Sequence, residues 1–326
     1  MINIKIGAQY PHGACSYYRS YGVFPYLSRL DDRIKIDPIS EIEWHVITNT
    51  DILYLERPQS VEFYSACKMA KDFNVKLWVD YDDSLFDVPE YNPCHEHFSK
   101  EDTKKIIVEC LKMADVVTTT TPALKGLYSK YNDNVQIVEN AFNDYNYTLP
   151  DEPSDQEALC WRGSTTHRQD LLGVASEMFQ LAKEHPEWGW IFIGNDVWYI
   201  TDGIPKHYQQ NELPILKYFK FLKNSQPAIQ LAPLAFNRFN VGKSNIAWIE
   251  GTFAGAVCIG PRMPEWNRPG ILSYGNAESF RALLEGLMTD SSLRERLFNE
   301  SKEYIQDNLC LSKINQKRKD IVEGLL

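Results

Sequence analysis

Four carboxylates, Asp80, Asp82, Asp83 and Asp87, crowd into the eight residues DYDDSLFD. Like charges this close repel unless a cation, an arginine or bound hydroxyls relieve them. Three readings stand open: Asp82 and Asp83 as a catalytic or acceptor-side pair in a cleft, a DxD metal site, or loop carboxylates that cap the next helix. Lys243 and Glu250 form a second constellation, seven residues apart and so about two helical turns. A lysine at a helix start suits a phosphate, because the backbone N–H groups and the dipole already favour an anion there. Glu250 has the acceptors for a pair of sugar hydroxyls. The plainer reading, an exposed charge pair on a surface helix, is the stronger for these two residues taken alone. The third constellation is the turn Gly163-Ser164 followed by Arg168, a diphosphate cradle if a strand precedes it and a helix follows. Thr166 and Gln169 there have capping-box spacing, and His167 reads as a turn residue. Cys94-His95-Glu96-His97 has metal-ligand residue types but no second ligand pair at suitable spacing, so it reads as loop.

The elements that would position these groups follow from hydrophobic patterning. The apolar run 229–234 is a buried strand, followed by a polar loop with Asn237, Arg238, Asn240, Gly242, Lys243 and Ser244. Ile246, Ile249 and Phe253 give one face of a short helix, Gly255 ends it, and 257–259 is another strand. Strand, loop, helix and strand make one unit of a parallel sheet, which binds ligands at the carboxyl ends of its strands. Upstream, strands are expected at 2–8, 51–56, 75–79, 115–120 and 135–138. Helices are expected at 17–30, 59–72, 102–113 and 121–131, the last with Thr121 as cap and Pro122 at the first position. The loop 10–19 carries Gly13 and other small residues, which let a ligand approach the backbone, and it ends at Arg19. Residues 143–156 are polar and read as a linker. Beyond them come strands 158–161 and 190–194, an amphipathic helix 171–182, and helices 277–287 and 291–308. The end of the 190–194 strand, Asn195-Asp196, would border a base pocket. The run Lys317-Arg318-Lys319 reads as a solvated face. Both halves share a βαβ rhythm, which predicts an α/β protein of two Rossmann-like domains.

Composition bounds the function. A chain of 326 residues suits two domains with sizeable cores. Lys and Arg number 34 against 44 Asp and Glu, a formal charge of -10, which argues against a broad basic surface for nucleic acid. Seven scattered cysteines without CxxC spacing point to reduced thiols in the cytoplasm. The start, MINIKIGAQY, lacks the regions of a signal peptide, and no apolar run approaches the ~18 residues of a membrane span.

Residues 249–257, IEGTFAGAV, resemble the second half of the donor-site block of GT-B glycosyltransferases of the retaining, nucleotide-sugar type, the family 4/1-like enzymes. That resemblance implies that Glu250 binds the ribose of the nucleotide. The first glutamate of the family's E-x7-E pattern would fall at Gly242, where this chain departs, while Lys243-Ser244 is similar to a pair that some relatives carry at the helix start. Asp80, Asp82, Asp83, Phe86 and Pro89 resemble a pattern of GT-B proteins that include phage enzymes, which favours the cleft reading of Asp82 and Asp83. The implied organisation is an acceptor-side domain at 1–142, a donor domain at 157–310, and a last helix, 311–326, packed back on the first domain. Gly163, Ser164 and Arg168 would contact the diphosphate, with Asn195, Asn240, Lys243 and Ser244 completing the donor site. Arg19, in a loop facing the cleft, joins Asp82, Asp83 and Lys243 as a catalytic candidate. The donor would be a nucleotide-diphosphate sugar such as a UDP-sugar, with no cofactor or metal. The acceptor would be a glycan or a hydroxymethylated base of phage DNA, the latter in a host's cytoplasm. The rival class is a non-catalytic nucleotide- or sugar-binding module, which the missing glutamate at 242 favours.

Overall fold

The structure, a computed structural model, describes residues 1–8, 10–11, 13–39 and 44–326. Two six-stranded sheets organise it, and every strand pair in both is parallel. The first is built from β1 (Ile2–Ala8), β2 (Ile34–Pro38), β3 (Ile52–Glu56), β4 (Lys76–Asp80), β5 (Val116–Thr119) and β6 (Val135–Ile137), in the order β2-β1-β3-β4-β5-β6. The second is built from β7 (Ala158–Arg162), β8 (Gly189–Ile193), β9 (His207–Gln210), β10 (Ile229–Leu231), β11 (Val257–Pro261) and β12 (Ile271–Tyr274), in the order β12-β11-β10-β7-β8-β9. The central strands read as near-continuous apolar runs because helices cover both faces. Every residue of β3, β5, β10 and β11 is buried. The order of the second sheet reverses between β7 and β10, and a crevice opens at such a switch point beyond the strands' carboxyl ends.

The edge strand β12 is not among the expected strands, and the edge strands β2 and β9 had no signal in the sequence. Lys35 is exposed in β2, and His207, Tyr208 and Gln209 are exposed in β9, so neither shows a buried run. Three helices also differ from expectation. The expected helix 17–30 is a short helix, Ala14–Arg19, then a turn and a 3-10 segment, Phe24–Arg29, whose first turn holds Pro25 with no N–H to give. Thr166 and Gln169 form no capping box. Ser164 Oγ meets Thr166 Oγ1 at 2.7 Å instead, residues Thr165–His167 make a 3-10 turn, and the helix 171–182 divides into Arg168–Leu172 and Ala175–Glu184. The helix after β10 begins at Ile246, so Lys243 lies in the connector before it rather than on its first turn.

Three hydrophobic clusters make the core, and one of them lies between the two halves. It joins Phe24, Tyr54 and Trp78 below the first sheet to Trp248, Ile249 and Phe253 of the second half. Phe253 is the hub: Tyr147, Phe142 and Phe219 stand 5.2, 6.0 and 6.0 Å from it, centroid to centroid. The last helix, Leu311–Leu325, turns back onto the first half, where Asn315 Nδ2 donates to Val23 O at 3.0 Å. Among the described residues no helix is long and apolar enough to cross a membrane.

Candidate active site

The carboxylates of DYDDSLFD meet different fates at the end of β4. Asp80 is 1% exposed and takes a two-pronged pair from Arg19, Nε to Oδ1 at 2.9 Å and Nη2 to Oδ2 at 2.6 Å. The remaining Arg19 donors go to Val138 O and Asn140 Oδ1. Arg19 is thus a buried clamp that ties the first helix to β4 and the end of β6, and the guanidinium faces protein on all sides. Burial works against the charge of Asp82, but the Arg57 guanidinium outweighs it and holds the carboxyl below its usual range. Arg57 Nε donates to Asp82 directly. Asp83 points across to the second half: Lys243 Nζ donates to its Oδ2 at 2.9 Å, with Arg57 Nη2 at 3.7 Å. The other oxygen, Oδ1, is buried and has no hydrogen-bond partner. The carboxyl ends of the two sheets therefore face each other, joined by an ion pair between Asp83 and Lys243.

A fourth acid shares this neighbourhood. Glu56, the last residue of β3, accepts from Ser16 Oγ at 2.9 Å and Ser20 Oγ at 2.5 Å. Burial, with the charge of Asp82 behind it, pushes its carboxyl up to about 7.

Glu250 is 3% exposed and saturated. Its Oε1 accepts from Tyr18 OH at 2.7 Å, and its Oε2 from Arg162 Nε at 2.7 Å and Tyr218 OH at 2.8 Å. Burial and the Glu250 charge keep both phenols well above their usual range, so they remain donors. Two hydroxyls and one guanidinium around a carboxylate are the partners that a ribose diol beside a phosphate-binding arginine would present. The seven-residue spacing of Lys243 and Glu250 does not bring them together, since Lys243 precedes the helix, reaches to Asp83 and lies 4.4 Å from the Phe239 ring.

The turn after β7 owes its shape to close packing. Gly163 N donates to Ile193 O, and a Cβ at Gly194 would lie 2.1 Å from Gly163 O. Two glycines in contact let the ends of β7 and β8 converge. The same turn leads to a cavity of about 340 Å³ lined by residues of both halves. Thr165, Thr166 and Arg168 line one side, Asp196, Trp198 and Tyr199 another, and Tyr91 closes it from the first half. The Arg168 guanidinium stands 4.9 Å from the Tyr199 ring centre and 5.8 Å from that of Trp198.

The other expected donor residues are engaged within the protein. Asn240 is 2% exposed and gives its amide to Asp170 Oδ1 at 2.8 Å and Ala235 O at 2.9 Å. Asn195 Oδ1 accepts from Glu212 N at 3.1 Å, which pins the loop after β9. Ser244 Oγ accepts from Asn140 Nδ2 at 2.9 Å, a second link between the halves. A Cβ at Gly242 would lie 2.8 Å from Leu124 Cδ2, so the position where the first glutamate would fall is packed against the first half. Among the described residues no three His, Cys, Asp or Glu side chains are grouped to hold a metal, and His95 is bonded to Val88 O at 2.7 Å. Arg57, Arg162, Asp170, Tyr18, Tyr218 and Trp198 escaped the sequence reading. Arg162 was the most findable, a cation ending a buried strand at the sheet's carboxyl edge.

No protein-family model matches the chain, and no curated protein does. Solved structures match it over almost all of its length. HepE of Anabaena, solved in complex with UDP and glucose, aligns with a TM-score of 0.68 at 10% identity, covering 99% of this chain and 100% of that one. The α-glucosyltransferase AGT in complex with UDP aligns with a TM-score of 0.63 at 13% identity over 99% and 100%. A glycosyltransferase from Rickettsia africae gives 0.64 at 12% identity over 99% and 98%. The fold is GT-B. In GT-B terms the ion pair between Asp83 and Lys243 spans the cleft, and Glu250 lies at the switch point of the second Rossmann-like sheet.

Proposed function

We propose that the protein is a glycosyltransferase that moves a sugar from a nucleotide-diphosphate sugar, such as a UDP-sugar, to an acceptor hydroxyl. The carrying observation is the pair formed by Lys243 and Asp83, at 2.9 Å, where the two sheet edges meet. A cation from one half and a carboxylate from the other are what departing diphosphate and arriving hydroxyl need. Residues 157–310 take the donor in this reading, residues 1–142 face the acceptor, and the fold shared with UDP-bound neighbours supports it.

Each side chain then has a task. The Glu250 carboxylate holds the ribose hydroxyls in place of Tyr18 and Tyr218. The diphosphate lies over the Gly163-Ser164 turn, between Arg162 and Lys243 on one side and Arg168 on the other. Asn240 and Asn195 act by fixing the loops after β10 and β9, and Ser244 by joining the halves. As the bond from the anomeric carbon to the phosphate oxygen breaks, its electron pair stays on that oxygen. Lys243, released from Asp83, stabilises the new charge without a metal. The acceptor hydroxyl bonds the same carbon, and its proton goes to Asp83 Oδ2, the oxygen that Lys243 has left. Asp82 and Arg57 hold Asp83, and Arg19 with Asp80 holds the loop that carries them. Retention of configuration is the outcome that the resemblance in residues 249–257 favours.

A second reading, a nucleotide- or sugar-binding module without turnover, is favoured by Gly242 standing packed against Leu124. Nucleotide release, measured across a panel of sugar donors with glycan and hydroxymethylated-DNA acceptors, separates the two. Acceptor-dependent release supports transfer, and tight binding without release supports the module.

A further inference from the structure

Beyond Arg168, which the proposed diphosphate accounts for, the cavity that it borders has a composition that the donor does not explain. It presents the Trp198, Tyr199 and Tyr91 rings on its walls. Trp198 is 58% exposed, although exposed indoles of this size are otherwise costly in water. Between the rings stand the hydroxyls of Thr165 and Thr166, the amide of Gln169 and the carboxylate of Asp196. Apolar faces interleaved with hydroxyl-bonding groups match a sugar ring, which has C–H patches and a hydroxyl rim. The charges in the wall are one arginine and one aspartate, a balance that does not suit a phosphodiester chain. About 340 Å³ lies at the small end of ligand pockets, the size for one or two sugar rings.

Topology places the cavity relative to the donor. From β7 the chain moves one way along the sheet to β8, and from β10 the opposite way to β11. Right-handed crossovers therefore put the helices after β7 on one face and the helix with Glu250 on the other. A donor with its ribose on Glu250 and its diphosphate over the end of β7 directs its sugar toward the face where the cavity opens. Tyr91, bonded through its hydroxyl to Asn237 Nδ2 at 2.8 Å, joins the cavity wall to the loop that carries Lys243.

We propose that this cavity is the acceptor subsite and that it takes a saccharide, with a ring stacked on the Trp198 indole. The proposal rests on the transferase reading, and it adds aromatics of the donor half to an acceptor site that Tyr91 of the first half also lines. The test is saturation-transfer NMR on the full chain with maltose, lactose, cellobiose and diacetylchitobiose. A DNA duplex containing hydroxymethylcytosine runs beside them, with UDP binding measured by calorimetry on the same samples. The expected result is contact with at least one disaccharide, weakened about tenfold in Trp198→Ala, with UDP affinity falling far less than the saccharide contact. Trp198→Phe restores part of the contact. Because Trp198 is largely exposed, its removal leaves the fold intact. Normal UDP binding with no disaccharide contact, or with contact that ignores Trp198, overturns the subsite and leaves the transferase reading standing. Contact by the duplex alone overturns it equally. No binding by the wild-type chain of UDP, or of GDP, ADP or dTDP run in its place, overturns the transferase reading, and a saccharide contact that depends on Trp198 in that sample still supports the cavity.

Discussion

In the proposed reaction, Lys243 is the side chain on which the chemistry turns. Its substitution by alanine removes the cation at the leaving phosphate, and turnover should fall by about 100-fold or more. The fold should persist, because Asp83 keeps Arg57 at 3.7 Å. Steady-state nucleotide release together with a thermal melt reads both halves of that statement. Glu56 yields a prediction of a different kind. Its carboxyl is raised by burial from 4.5 to about 7 in the folded chain, so the folded state binds its proton more tightly than the unfolded one. The resulting stabilisation is complete below about pH 4.5 and is lost as pH rises through about 7. Chemical denaturation from pH 4.5 to 8 should show a decline of about 3 kcal/mol assignable to this group. Glu56→Gln, which keeps the neutral shape, should flatten it, and an unchanged slope would remove Glu56 as the cause.

At the level of elements, the turns after β7 and β8 form the proposed donor cradle. They approach so closely that a methyl group at Gly194 would meet the Gly163 carbonyl at 2.1 Å. Gly194→Ala should therefore force the strand ends apart, costing about 1–3 kcal/mol and weakening UDP binding along with stability. Calorimetry with UDP at a temperature where the variant is folded is the check, and full-strength binding would show that the turn does not touch the diphosphate. These elements were readable in the sequence to unequal degrees. The buried strands β3, β4, β5, β7 and β8 announce themselves as apolar runs, and Thr121 caps its helix as expected, accepting from Leu124 N. The edge strands β2 and β9 did not, since a half-exposed strand has no such run. Lys243, Glu250, Asp82 and Asp83 could be picked out by type and context. Their partners could not, because Tyr18 and Glu250 meet across 232 residues and Asp83 and Lys243 across 160. Arg19 was misjudged for a related reason: its motif fits a loop at a ligand, but burial and Asp80 enclose it.

Over the whole molecule, the two sheets do not have separate cores on their facing sides. One cluster runs from Phe24 and Trp78 through Phe142 to Trp248 and Phe253, and the last helix closes over it. Polar links across the cleft, from Tyr18 to Glu250, from Lys243 to Asp83 and from Asn140 to Ser244, cluster at the places where donor groups would sit. A donor bound as proposed must therefore take these partners from the protein. This exchange ties nucleotide binding to the contact between the halves, and it makes Lys243 its most visible reporter. The most direct test is a crystal structure of the chain with UDP. The account predicts the Lys243 ammonium off Asp83 and within hydrogen-bonding reach of the diphosphate, with the ribose hydroxyls on Glu250. A bound UDP lying elsewhere, with Lys243 still on Asp83 and Glu250 still on Tyr18, would contradict it.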